Sequence, residues 1–473
     1  MLRRCFSILL LLGLILLPQR AFAQDPTPDQ PIYIVQAGDT FYTIAIRFGL
    51  SLDELENANP QIDPNRLKVG DQLVLPGLEG VKGVITAQEI HYGDSLVTLS
   101  RRYRIPIDGL VKLNHITSPA ELYVGGNVIL PEPDPKATYG EASLAADQTL
   151  LELAAKKGTN LWTLVEANGL KGSWDAAPGE FLVYPSEGND TNQGEASIYP
   201  AVESIEINPY PLVQGKTEVI RITTREPVHF SGSLVDHELH FFQEKPGTYV
   251  ALQGVYAMLD KGIYPLTIQG ELENDASFKY SQMVIVKSGG YVRDLPLTVP
   301  PETLDPKVTG PENDQYYALA APATETKYWD GAFDLPSKLF TKAWCLETNE
   351  CWSARFGSRR SYNGGPYDQY HTGLDIFGGK GVEIYAPAPG VVVFTGLLTV
   401  RGNTTLIDHG WGVYSGYFHQ SEIRVKAGDR IQAGQIIGLI GNTGRAEGPH
   451  LHFEILVGGV QVDPLDWLGK AYP

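Results

Sequence analysis

Cysteine is scarce: the 473-residue chain has three, and one of them, Cys5, sits in an apolar leader. Only Cys345 and Cys351 remain beyond it, separated by Leu-Glu-Thr-Asn-Glu, with no cysteine-zinc knuckle around them. An even pair in an oxidising compartment favours one small disulfide loop. Basic charge is short as well, with 37 Lys and Arg against 55 Asp and Glu, a formal net charge of −18. That balance argues against a protein that tracks nucleic-acid phosphates. Long apolar runs are also missing. The longest, Ile8 to Leu17, falls short of the roughly 18 residues of a membrane span and meets Pro18. Arg3 and Arg4 precede that run and Ala21-Phe22-Ala23 follows it. The pattern predicts a secretory signal peptide, residues 1–23, cleaved before Gln24, and no transmembrane segment after its removal. Losing Arg3, Arg4 and Arg20 leaves 34 basic against 55 acidic side chains, about −21.

The length implies three or more domains at roughly 100–200 residues each. A Pro- and Asp-rich leader from Asp25 to Pro31 is followed by a segment that repeats itself. Asn59 recurs as Asn114, an offset of 55, and as Asn168, an offset of 109; Leu55, Leu110 and Leu164 keep the same register. Each copy closes on an apolar run ending in proline: Leu73 to Pro76, Val128 to Pro131, Leu182 to Pro185. In the first copy, Gly38-Asp39-Thr40 offers a cap to a helix whose apolar face is Phe41, Ile44, Ala45 and Phe48. Gly49 is placed to stop it, and Ser51 with Glu54 forms a capping box for a second helix. The grammar is β-α-α-β, over residues 32–77, 84–132 and 138–186. It resembles LysM, a module that binds N-acetylglucosamine-containing glycans such as peptidoglycan. The second copy keeps the turn as Gly93-Asp94-Ser95, whereas the third has Asp147-Gln148-Thr149, a departure that weakens its claim to bind sugar.

Small and polar residues at 187–199 predict a linker. From 200 to 294 the texture turns to alternation, as in Glu218 to Ile222 and Ser281 to Val286, which predicts a β-sandwich-like accessory domain. His229, His237 and His240 lie there as scattered surface histidines. A Pro-rich linker is expected at 295–340. It directly precedes the chemistry, where its position points to a cover over the site that processing removes.

Residues 341–473 predict an all-β antiparallel-sheet domain with short strands, Gly and Pro punctuation, and the candidate ligands His371, Asp375, His409, His419, His450 and His452. In a strand, His450 and His452 share a face, with Glu454 behind them; His371 and Asp375 share a face if the chain is extended there. His409, within Ile-Asp-His-Gly, fits a turn. Any of Tyr362, Tyr367 and Tyr370 is placed to donate to an oxyanion. A zinc site needs about three protein ligands plus an open position. The ordered series of His371 to Asp375 (HTGLD), Ile407 to Gly410, Tyr417-Phe418-His419, Gly441 to Gly444 and Gly448 to Glu454 (GPHLHFE) resembles the lysostaphin-like, or LytM-type, zinc endopeptidases. The resemblance covers about the last 120 residues. It implies that one Zn2+ is held by His371, Asp375 and His452, and that His419 and His450 are the catalytic pair. The expectation is a secreted or wall-associated, multidomain peptidoglycan hydrolase with three βααβ LysM-like modules, acting on peptide bonds of the stem or cross-bridge. A non-enzymatic wall-bound activator of other hydrolases is the alternative.

Overall fold

The computed structural model describes residues 30–132, 139–145, 147–186, 199–273 and 276–473. The expected signal peptide and residues 187–198 of the expected linker lie outside the described residues. The chain divides into two compact units, residues 1–86 and 87–473. Among the described residues no helix is long and apolar enough to cross a membrane.

In the first unit, strand Pro31–Ile34 pairs antiparallel with Gln72–Val74, and helices Phe41–Arg47 and Leu52–Ala58 lie between them in sequence. Both helices begin with a complete capping box, Thr40 with Thr43 and Ser51 with Glu54. Thr40 supplies the first cap, while Asp39 accepts from Tyr33 Oη at 2.6 Å and from Arg47 Nη2 at 2.9 Å. The recurrent Asn59 is fully buried. Its amide donates to Leu55 O at 2.8 Å and Val74 O at 2.9 Å, and its oxygen accepts from Val74 N at 2.8 Å. One side chain thus ties a helix end to the closing strand, and Asn114 and Asn168 make the same three bonds in the later copies. The repeat is a repeated solution to one hydrogen-bonding demand.

The second copy has helices Leu96–Tyr103 and Ile107–Asn114, and the third has Leu150–Lys156 and Leu161–Ala167 between paired strands Tyr139–Ser143 and Phe181–Pro185. Arg102 joins the two copies, reaching Asp94 at 2.6 Å and Glu141 at 2.8 Å. The second copy is also fastened to the accessory domain. Gly93 N donates to Tyr280 Oη at 3.0 Å and Gln282 Oε1 at 3.2 Å, and Val124 N donates to Met283 O at 3.0 Å. Val124 is 5 % exposed, whereas its counterpart in the first copy, Val69, is 68 % exposed.

Residues 199–287 form two sheets, one of five strands and one of four, whose apolar faces share one core that includes Ile205, Ile222, Leu266, Ile268 and Val284. Strands Thr217–Thr224 and Thr248–Gly254 are buried on both faces, since Val219 of the first and Val250 and Leu252 of the second join the core of the C-terminal domain. Phe242 stacks on Trp411 at 5.1 Å, and Lys216 pairs with Asp463 at 3.0 Å and Asp466 at 3.1 Å.

The C-terminal domain is built on an antiparallel sheet in the order Trp352–Ala354, Leu374–Phe377, His450–Val457, Val413–Gln420, Gly402–Gly410, Gly390–Leu398, Arg430–Ile431. Cys345, in helix Lys342–Thr348, forms a disulfide with Cys351, and both are buried. The span expected as a linker is structured. Helix Pro306–Ala320 buries Tyr316 and Ala320 against Leu406, Tyr414, Phe418 and Leu456, and Trp329, Phe333 and Leu335 enter the main core. Pro306 stands in the first turn, where its missing N–H is not needed, whereas Pro311 lies inside the helix and forgoes one hydrogen bond that tertiary packing offsets.

Glu218 is fully buried at the join, with Oε2 unpartnered among the described residues, and burial raises its pKa to about 8. The fold therefore holds this proton more tightly than an unfolded chain, whose carboxyl titrates near 4.5. Stability is greatest below that value and declines as pH rises towards 8. Glu218→Gln removes the decline: thermal melts from pH 4.5 to 9 should show the variant gaining a few degrees over wild type at the alkaline end, where the two diverge most.

Candidate metal centre

The sheet register brings the site together. Asp375 lies opposite His452 on one side of the central strand, and Phe418 lies opposite His452 on the other. His371 enters from the loop before strand Leu374–Phe377, across Gly373. A Cβ at Gly373 would sit 2.4 Å from Phe453 O and 2.8 Å from His452 Nε2, so only glycine permits this approach. His371, Asp375 and His452 are all buried, and their ligand atoms lie within 4.8 Å of one another.

Partners outside the cluster fix which ring nitrogens carry protons. His371 Nδ1 lies 2.9 Å from Arg355 O, a carbonyl that can only accept, so Nδ1 donates and Nε2 presents a lone pair. His452 Nε2 lies 3.2 Å from Glu454 Oε1, so that nitrogen donates and Nδ1 faces inward. The inward atoms crowd: His371 Nε2 is 3.0 Å from both His452 Nδ1 and Asp375 Oδ1, and His452 Nδ1 is 2.8 Å from Asp375 Oδ1. Three converging lone pairs need a cation or a proton between them. Burial opposes charge on His452, but hydrogen bonds to Asp375 and Glu454 outweigh it and raise its pKa to about 9; Asp375, despite its burial, is held well below the usual carboxylate range by His371 and His452. Two neutral imidazoles and a carboxylate are a donor set that suits zinc, so the residues present fit the ion.

His419 and His450 stand beside this cluster with ring centres 5.0 Å apart. His419 Nδ1 donates to Thr443 O at 2.7 Å and His450 Nδ1 to Gly448 O at 2.8 Å, so each leaves Nε2 as its base. His450 Nε2 is 3.5 Å from Asp375 Oδ1. Burial, reinforced by His452 and His450, lowers the His419 pKa to about 3, which keeps it neutral. Its φ of +61° lies in the left-handed region, which few residues other than glycine adopt.

His409 is elsewhere, fully buried between Pro389 O at 2.6 Å and Ser415 Oγ at 2.7 Å, and burial lowers its pKa to about 4. His229, His237 and His240 do not gather: among the described residues His371, Asp375 and His452 are the one group able to share an ion. Tyr367 Oη donates to Asp294 O at 2.8 Å and Tyr370 Oη to Gln461 Oε1 at 3.3 Å, both away from the cluster. A residue that sequence reasoning missed stands behind His452. Tyr316 Oη, from helix Pro306–Ala320, donates to Glu454 Oε2 at 2.9 Å, and the Arg401 guanidinium lies 4.2 Å over the Tyr316 ring. Nothing in the sequence links Tyr316 to a strand 138 residues away. A cleft of about 1680 Å³ opens above the cluster, and residues of the span 295–317 line it without filling it.

Residues 369–464 match the model for peptidase family M23. The C-terminal domain belongs to that family. Residues 33–76 and 89–131 match the LysM domain, so the first two copies of the repeat are LysM domains. The M23 domain is 43 % identical over 95 residues to peptidoglycan DD-endopeptidase ShyA of Vibrio cholerae, an overlap of 20 % of this chain and 22 % of that one. It is 39 % identical over 95 residues to DD-carboxypeptidase/endopeptidase Mpg of Neisseria meningitidis, again 20 % of this chain and 22 % of the relative. The chain thus spans about a fifth of the length of these curated relatives. A crystal structure of an M23 peptidase from Pseudomonas aeruginosa aligns with 55 % of this chain and 95 % of its own, at 24 % identity and a TM-score of 0.40.

Tyr316→Phe removes one hydroxyl and leaves the ring packing. Losing the donor to Glu454 should loosen the orientation of His452 and weaken zinc binding about 10-fold, measured by competition with a chromogenic chelator. Unchanged affinity would mean that Glu454 needs no such support.

Proposed function

We propose that this chain is an exported, zinc-dependent peptidoglycan endopeptidase that cleaves peptide bonds of the stem or cross-bridge and is held at the wall by LysM glycan binding. The observation that carries the reading is the convergence of three lone pairs, from His371, Asp375 and His452, beside two imidazoles whose Nε2 atoms are free to take protons. Zinc bound there would polarise a scissile carbonyl and acidify a water. His450 Nε2, close to Asp375, is placed to accept a proton from that water and return one to the leaving amine. His419, neutral and pinned by Thr443 O, presents Nε2 as an acceptor that orients the attacking water. The complete set of ligands and bases argues against a purely non-catalytic activator. Relatives named as peptidoglycan endopeptidases and the LysM domains support the wall as the place of action. The expected leader at 1–23 supplies the route out of the cytoplasm.

The two LysM domains divide the work. With its turn and its Val124 loop buried against the accessory domain, the second serves as a joint, and the exposed counterparts in the first carry glycan binding. The third repeat, without the Gly-Asp turn, supports the second through Arg102.

His450→Ala should retain zinc and lose peptide release from purified sacculi by at least about 100-fold, whereas His371→Ala should lose both. Metal analysis with mass spectrometry of released peptides decides it, and a fully active His450→Ala protein sinks the assignment. Val69→Asp in the first LysM domain should reduce co-sedimentation with sacculi several-fold while leaving the melting temperature unchanged.

A further inference from the structure

Four arginines line the cleft above the metal centre: Arg355, Arg360, Arg401 and Arg445. In a chain with an excess of acidic residues, their local balance of charge is informative. Arg360 is paired with Asp294 at 3.4 Å and approaches Asp375 at 3.8 Å, and Arg401 is paired with Glu312 at 3.0 Å. Arg355 is exposed. Arg445 differs from all three. It is partly buried, and among the described residues it makes no ion pair: Glu312, the carboxylate that partly offsets its charge, is itself bound to Arg401. Its guanidinium lies 4.6 Å over the Tyr362 ring and donates to Thr303 O at 3.2 Å. Those two contacts hold the fork in place without neutralising it. Burial, with repulsion from Arg360 and Arg401, pulls its pKa down, so the fold bears a cost for keeping this cation here.

The location gives that cost a use. Arg445 belongs to the loop between Thr443, whose carbonyl fixes His419, and His450. The guanidinium and both imidazoles line the same cleft. A rigid, partly desolvated guanidinium without an internal partner is suited to a planar, two-oxygen anion.

We infer that Arg445 is the receptor for a free carboxylate on the substrate peptide, close to the bond that is cut, and that it selects carboxylate-bearing peptides over their amidated forms. This rests on the peptidase reading above. Tyr362 is the positioning residue for the fork, which also explains why its ring lies beneath Arg445 rather than in the core.

The test separates binding from turnover. Full-length, zinc-loaded His450→Ala protein, which retains the cleft but does not turn over, is titrated calorimetrically with acetyl-D-Ala-D-Ala and with its C-terminal amide. The free acid should bind about 10-fold or more tightly than the amide. Adding Arg445→Gln should abolish that preference by weakening the acid alone, and Arg445→Lys should restore part of it. Melting curves of each variant confirm folding, and Tyr362→Leu should reduce the preference without removing it. Equal or undetectable binding of the two peptides, or a preference that survives Arg445→Gln, overturns the assignment. Failure of the peptidase reading shows separately, as wild-type protein that releases no peptides from sacculi.

Discussion

Three lone pairs forced together in a buried space are the constraint on which the rest of the C-terminal domain depends. Each inward-facing atom is fixed by a partner on its far side: a backbone carbonyl behind His371, a carboxylate behind His452, and the register of two adjacent strands for Asp375. Such an arrangement is unfavourable unless something positive completes it. The surrounding architecture can be understood as what holds the three atoms in place against that repulsion. The central strand presents His452 between two neighbours, Gly373 lets His371 approach, and Phe418 stacks on the His452 ring at 5.2 Å.

The support extends well beyond the family-matched residues. Helix Pro306–Ala320 closes a small apolar cluster under the sheet and carries both Tyr316 and Glu312, one to the carboxylate behind His452 and the other to Arg401. On the opposite side, strand Thr217–Thr224 of the accessory domain shares a core with the M23 domain. The metal centre is therefore preorganised by three regions of chain that are distant in sequence.

Much of this was legible in the sequence wherever the signal was local or periodic. The alternation of His450, His452 and Glu454 in one strand, the capping boxes of the repeats and the recurrent asparagine all depend on residues a few positions apart. The two halves of the ligand set were legible only as separate motifs, because the register that joins Asp375 to His452 is a long-range property. The span 295–340 misled for a physical reason. Its proline content has the composition of a linker, yet Pro306 sits where a helix tolerates it, and the helix gains its stability from burying Tyr316 and Ala320 rather than from propensity. Burial of the second LysM turn was invisible as well, since the same Gly-Asp sequence serves an exposed turn in one copy and a docked one in the next.

The place of the central strand in the chain carries a temporal consequence. His450–Val457 lies between Leu374–Phe377 and Val413–Gln420, both of which leave the ribosome before it, and Trp329 and Phe333 pack against Trp467, which leaves later still. Until those late residues arrive, the neighbouring strands have no partner between them and the ligand cluster has only two of its three members. A chain made from its N-terminus therefore completes its LysM domains first and its ligand cluster last.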